Sequence, residues 1–249
     1  MMHLLFNAWL LLITSLAFLF LILPGSCLLA ACSPLIPKAR YADLTRRAVK
    51  VFGRLILALP YPFIRIKYRD RFPAYAKGAC VFVCNHRSSS DAFLMARLSF
   101  DGIQVFKRWV LRIPLLGFMA QRAGYLCVTD LSPEDLMEQA LSVLRKGQAI
   151  VFFPEGTRSG DRQMNVFYSA AFRLAMQAQT PIVPLCIAGT ERIPRRGSLW
   201  MEPGVILLHK LKEWTPEQYN GWSAFALKNR IRDAMSAELA VMDKELESC

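Results

Sequence analysis

Between Met1 and Pro37 the chain carries no aspartate, glutamate, lysine or arginine, and most of that stretch, HLLFNAWLLLITSLAFLFLIL, is apolar. About twenty consecutive apolar residues suffice for a helix to cross the hydrocarbon of a bilayer, where every backbone polar group must be satisfied within the helix itself. A cleaved secretory signal is a poor reading, because no basic residues precede the apolar run. Leu29-Ala30-Ala31-Cys32 looks like a lipoprotein processing box, yet it lies past the main run and also lacks the basic start. The expectation is a retained membrane anchor over residues 1–37. A hairpin or interfacial helix pair dipping into one leaflet is the alternative.

The segment after Pro37 sets the orientation. Lys38, Arg40, Arg46, Arg47, Lys50, Arg54, Arg65, Lys67, Arg69 and Arg71 face only Asp43 and Asp70 over the same span. Such an excess beside a transmembrane end places the downstream chain in the cytoplasm. The formal charge of the whole chain is +12, which asks for an acidic partner. No zinc spacing, stacking ladder or recognition helix points to nucleic acid, so the expected partner is an anionic membrane surface. The cysteines at 27, 32, 80, 84, 127, 186 and 249 form no CxxC pair and read as small core residues of a reducing compartment. No metal site is expected.

Residues 38–64 read as a basic amphipathic helix on the membrane face, with Leu44, Ala48, Val51, Phe52, Leu55, Ile56 and Leu59 at helical spacing, and a connection after it. Residues 65–249 then alternate short apolar strands with helices. PYPFIRIKYRD, ACVFVC, IQVFK, GYLCVT, AIVFF, PIVPLCIAG and VILLHKLK read as strands. AFLMARLSF, a stretch broken at Pro114 and Gly117, a segment capped by Ser132, AAFRLAMQAQ and the C-terminal SAFALKNRIRDAMSAELAVMDKEL read as helices. The fold class is α/β, a mixed or mostly parallel sheet covered by helices, with an N-terminal membrane-anchoring helix.

Two polar turns directly succeed apolar strands, at the sheet edge where α/β proteins bind ligands. The first is NHRSSSD. Five residues separate His86 from Asp91, enough for the carboxylate to fold back on one imidazole nitrogen, fix the tautomer and leave the other nitrogen free to take a proton. Taken alone, the pattern equally describes a histidine capping a helix. The second is FPEGTRS, in which Pro154 and Gly156 shape a turn that presents Glu155 and Arg158. A guanidinium fork suits a phosphate or carboxylate. Glu155 either holds that arginine or bonds a substrate hydroxyl. His3, in the apolar segment, and His209, in a late strand, have no chemical partner in view, and RIPRR at 192–196 reads as a solvated loop able to dock an acidic partner.

Together, NHRSSSD and FPEGTRS, about seventy residues apart, resemble the two best-known blocks of the glycerolipid acyltransferase family, which includes the 1-acylglycerol-3-phosphate acyltransferases. IVPLCI, with Val183 and Pro184, is similar to a later strand that lines the family's pocket, and Lys107, Pro114, Gly117 and Gly124 fall where the family has its lysine, proline and glycine run. The resemblance spans roughly residues 65–215. It implies that residues 65–249 are an acyltransferase domain in which His86 is the general base and Asp91 its orienting partner. It further implies that Pro154, Glu155, Gly156, Thr157, Arg158, Lys107, Val183 and Pro184 bind substrate. Acyl-CoA or an acyl carrier protein would be the co-substrate, a lysolipid the acceptor, and no metal or organic cofactor would be needed.

Two departures bear on the acceptor. GYLCVTD places Thr129 and Asp130 where the family has an acid and a phosphate-binding arginine, and Phe167-Tyr168-Ser169-Ala170 lacks the lysine of the family's turn. Arg122, Arg162 and Arg173 are the candidate replacements. The leading expectation is conversion of 1-acylglycerol-3-phosphate to phosphatidic acid. An ornithine-type lipid, a glycolipid or another lysophospholipid is the alternative acceptor, and a non-catalytic lipid-binding protein the alternative of another class.

Overall fold

The computed structural model describes residues 2–70, 78–100, 102–113 and 115–248; Arg71, Pro114 and Cys249 lie outside them. The apolar segment is helical throughout, as α1 (Met2–Ala17), a π-helical turn (Phe18–Ile22) and α2 (Leu23–Ala31). From His3 to Ala31 it is long and apolar enough to cross a membrane. Most of its leucines are exposed, but Phe6 and Leu10 are buried against the domain. Asn7 anchors this end in both directions: its Nδ2 donates to the Met201 carbonyl, and its Oδ1 accepts from the Met201 N–H, each at 2.9 Å.

Helix α3 (Lys38–Ala58) comes next. It packs on the domain through Tyr41, Thr45 and Gly53. Its lysine and arginines at four-residue intervals serve the same purpose: Arg46, Lys50 and Arg54 donate to the carbonyls of Ala123, Phe100 and Ala96. These are carbonyls at or near chain turns, where backbone acceptors lack helical partners. Part of the basic charge expected to face a membrane therefore secures the helix to the domain, while Arg40, Asp43, Arg47 and Val51 remain exposed.

Seven strands form one mixed sheet in the order β1-β7-β6-β2-β5-β3-β4. They are β1 (Ile64–Asp70), β2 (Val81–Cys84), β3 (Gly102–Phe106), β4 (Leu126–Cys127), β5 (Ala149–Phe152), β6 (Ile182–Ala188) and β7 (Gly204–Lys210). The five strands from β6 to β4 run parallel; β7 opposes β6, and β1 runs with β7. β2, β5 and β6 are buried at every position, as parallel strands covered on both faces must be. Pro184 sits inside β6 without breaking it. Its missing N–H falls between the Ile182–Trp214 bridge and the β6–β7 ladder, which begins at Leu185.

One face is covered by α6 (Pro133–Arg145), α7 (Ala170–Ala178) and α9 (Ala224–Glu247). The other is covered by α4 (Asp91–Leu94), the 3₁₀ turn Met95–Arg97 and the first turns of α1. Ser132 caps α6, its hydroxyl accepting from the Asp135 N–H, with proline next in line. Sequence periodicity overestimates three elements. PYPFIRIKYRD is a strand only from Ile64, AFLMARLSF is only one α-helical turn and a 3₁₀ turn, and GYLCVT pairs only over Leu126–Cys127. Conversely, Gly117 lies within α5 (Leu116–Arg122) rather than breaking it. The short α8 (Pro216–Tyr219), with Thr215 and Gln218 forming a capping box, is an addition.

Gly189, where β6 ends, has φ +88°, and a Cβ there would lie 2.2 Å from the Val205 carbonyl oxygen. Gly189→Ala thus combines left-handed strain with a backbone clash, and is expected to cost at least about 2 kcal/mol. Denaturant unfolding measures it; a loss within a few tenths of a kcal/mol would contradict the close approach.

Candidate active site

β2 ends at Cys84, and the next side chain continues the sheet in its place. Asn85 donates through Nδ2 to the Ile187 carbonyl at 2.9 Å and accepts through Oδ1 from the Ile187 N–H at 2.7 Å. The buried amide copies one backbone pair with β6, so the main chain is free to turn away at His86. Sequence reasoning missed this role; an asparagine ending a buried strand was its signal.

The backbone of His86 is held from the second turn. Its N–H donates to Glu155 Oε1 at 2.7 Å, and its carbonyl accepts from the Ser159 N–H at 2.8 Å. The ring lies against Phe153, centroids 4.5 Å apart. Its Nδ1 is 2.9 Å from Asp91 Oδ2, leaving Nε2 as the nitrogen available for proton transfer. Asp91 opens α4 and is fully buried. The same Oδ2 also accepts from the N–H groups of Arg87 at 2.7 Å and Ser88 at 2.8 Å. Three donors thus fix the carboxylate in place, and Asp91 is built to orient the ring and to face a positive charge on it.

Glu155 does not hold Arg158, one of the two roles that the sequence left open. It is buried, and its second oxygen accepts from the Asn165 N–H at 2.8 Å. Glu155 thus joins three stretches of backbone and positions His86 from behind. Burial pushes its carboxyl above its ordinary 4.5, against the two backbone donors. A carboxyl raised in the folded state contributes stability in full below 4.5 and loses it as pH rises through the folded value. Glu155→Gln removes that titration. The melting temperature of the native protein is therefore expected to fall relative to Glu155→Gln as pH rises above the ordinary carboxylate range; parallel curves would contradict it.

Arg158 makes no side-chain hydrogen bond or ion pair among the described residues, and Thr157 beside it is exposed. Gly156 has φ +64°, and a Cβ there would meet the Tyr168 ring at 2.9 Å, so this turn requires glycine. Pro154 is buried and its carbonyl accepts from the Tyr168 N–H. Lys107 is exposed after β3, while Val183 and Pro184 are buried in mid-sheet, one strand away from His86.

Of the candidate replacement cations, Arg162 is already paired with Glu247 and Glu191, whereas Arg122 lies over the Phe118 ring. Asp130 is engaged by Arg108 Nε at 2.5 Å. His209, given no partner from sequence, is buried with Nδ1 2.6 Å from Glu238 Oε1 on α9. The pair was invisible because a late strand and a distant helix supply it.

The largest omission is Arg87. Its side chain is 1% exposed, and its two terminal nitrogens each lie 2.7 Å from an oxygen of Asp243 on α9. Glu191 and the Arg162 carbonyl add to the pairing. Burial works against the guanidinium charge, and these carboxylates more than offset it. The turn that carries His86 is thereby tied to the C-terminal helix.

A family model described as Acyltransferase matches residues 64–188. A chloroplastic 1-acyl-sn-glycerol-3-phosphate acyltransferase of Brassica napus is 30% identical over 143 residues, 55% of this chain and 41% of that one. The corresponding enzymes of Limnanthes alba and Salmonella typhimurium are 26% and 27% identical, over 68% and 79% of this chain and 70% and 80% of theirs. The chain thus spans less than half the length of the Brassica relative. The crystal structure of the 1-acyl-sn-glycerophosphate acyltransferase PlsC from Thermotoga maritima superposes with a TM-score of 0.79 over 97% of this chain and 96% of that one. At 18% identity, it establishes the shared fold.

Proposed function

The chain belongs to the acyltransferase family, and on that premise we propose that it is a membrane-associated O-acyltransferase. It moves a fatty acyl group from an acyl thioester to the hydroxyl of a lysolipid, with 1-acylglycerol-3-phosphate as acceptor and phosphatidic acid as product. One observation carries the reading: a half-buried histidine whose Nδ1 is held at 2.9 Å by a buried, backbone-bonded aspartate, with Nε2 left available. His86 Nε2 takes the proton of the acceptor hydroxyl, while Asp91 stabilises the imidazolium. The oxygen attacks the thioester carbonyl, the C–S bond breaks as the tetrahedral intermediate collapses, and the departing thiolate recovers the proton from His86. The protein forms no covalent intermediate, and this route uses no metal or organic cofactor.

Arg158 is the cation assigned to the acceptor's phosphate. The apolar segment supports a membrane location, and the basic residues after Pro37 support a cytoplasmic site, within reach of acyl-CoA or an acyl carrier protein. A second acceptor class is favoured by one observation: where the family has its phosphate-binding arginine this chain has Asp130, an acid already paired with Arg108.

The test is transfer by membranes containing the protein, given labelled acyl-CoA or acyl carrier protein and a panel of acceptors. Phosphatidic acid formation dependent on His86 supports the first reading. Histidine-dependent transfer only to a non-phosphate acceptor keeps the mechanism and replaces the substrate, and no His86-dependent transfer to any acceptor leaves the lipid-binding alternative.

A further inference from the structure

The segment between the 3₁₀ turn Thr190–Arg192 and β7 presents an unusual surface. Leu199 is 93% exposed and Trp200 46% exposed at its tip, flanked by Arg192, Arg195 and Arg196. Among the described residues, Glu202 is the carboxylate that pairs with these arginines, 2.7 Å from Arg195 and 3.9 Å from Arg192. An apolar tip ringed by arginines, with an indole between, matches the interfacial zone of a bilayer, where indoles sit at headgroup level and cations meet anionic lipid.

Its base touches both turns of the candidate site. Ser90 Oγ donates to the Ile193 carbonyl at 2.6 Å, and Ser88 Oγ lies 3.1 and 3.0 Å from the carbonyls of Ile193 and Pro194. The aliphatic chain of Arg196 lies over Gly160, just beyond FPEGTRS. On its other side, Met201 is joined to Asn7 by the reciprocal pair, so the tip continues into the exposed leucines of α1, Leu4 and Leu5 among them.

We propose that residues 192–203 form a second membrane contact, a lip that enters the headgroup region of an anionic bilayer beside the site, apart from the apolar helix. This rests on the reading that the chain acts at a bilayer, and adds where and through which residues it meets the lipid. An acidic carrier protein would find the arginines but not a use for a leucine so fully exposed, and continuity with the apolar face of α1 favours lipid. With Ser88 and Ser90 bonded to its base, the lip brings the acceptor's lipid phase to the edge of the His86 turn.

Two measurements on the full chain in phosphatidylcholine–phosphatidylglycerol vesicles decide it. Acyl chains brominated near the headgroups are expected to quench a component of tryptophan emission that disappears in Trp200→Phe; equal quenching in both proteins would overturn the proposal. In Leu199→Asp/Trp200→Asp, transfer to a long-chain acceptor in the vesicle is expected to fall about tenfold, with transfer to a water-soluble short-chain acceptor unchanged. An equal fall with both acceptors, or one confined to carrier-protein donors, places the lip in the fold or in protein docking and also overturns it. Should the native chain transfer nothing, the functional reading fails while the quenching still decides the lip.

Discussion

His86→Ala is expected to lower kcat for acyl transfer by about 10²–10⁴-fold, the range typical of a lost general base, while leaving the melting temperature nearly unchanged. The separation comes from how the residue is held. Its backbone is fixed by Glu155 and Ser159, neither of which depends on the imidazole, and its side chain is 18% exposed. Asp91→Asn is expected to lose activity on a comparable scale but to destabilise as well. All three bonds converge on Oδ2, so an amide oxygen could take that place, but it would lose the charge that strengthens them and would bury an NH2 where Oδ1 has no hydrogen-bond partner among the described residues. Initial rates and thermal unfolding of both variants check this. Should His86→Ala retain native kcat, proton transfer by this residue is not part of the reaction.

Asp243→Ala is expected to destabilise the fold by about 3–5 kcal/mol, the usual consequence of removing one partner of a buried ion pair. For a chain of this size, that corresponds to roughly 6–20 °C in melting temperature. The severity comes from Arg87, which would keep its charge in the interior with Glu191, at 3.4 Å, as the remaining carboxylate among the described residues and the Arg162 carbonyl beside it. The double replacement Arg87→Met/Asp243→Leu is the informative companion, because it removes the stranded charge and is expected to recover part of the stability. It is not expected to recover kcat fully, since Arg87 also aligns the backbone N–H that bonds Asp91. If Asp243→Ala melts with the native protein, the pair does not clamp the turn.

Much of this was legible in the sequence because local chemistry dictated it. The apolar strands VFVC and AIVF declared themselves by composition, and α6 by its cap, proline and acidic first turn. The His86–Asp91 bond was legible because five residues across one turn fix both partners. Interactions across long separations were not. Arg87 and Asp243 are separated by 156 residues, and His209 and Glu238 meet only because β7 and α9 lie together. Glu155 was identified as important but given two roles, neither of which involved the backbone of His86. A buried carboxylate and an exposed one look alike in sequence, and only the packed turn separates them. Strand length failed similarly at β4, where the Val128 N–H still bonds the Phe106 carbonyl but the chain is already entering a turn.

The clamp between α9 and the His86 turn also imposes an order on how the molecule comes into being. Arg87 is translated 156 residues before Asp243, and until α9 is made Arg87 lacks the carboxylate that grips both of its terminal nitrogens. The turn that carries His86 therefore stays unsecured while most of the sheet around it is being synthesised. Its final geometry is set from behind, by a helix that arrives after the strands.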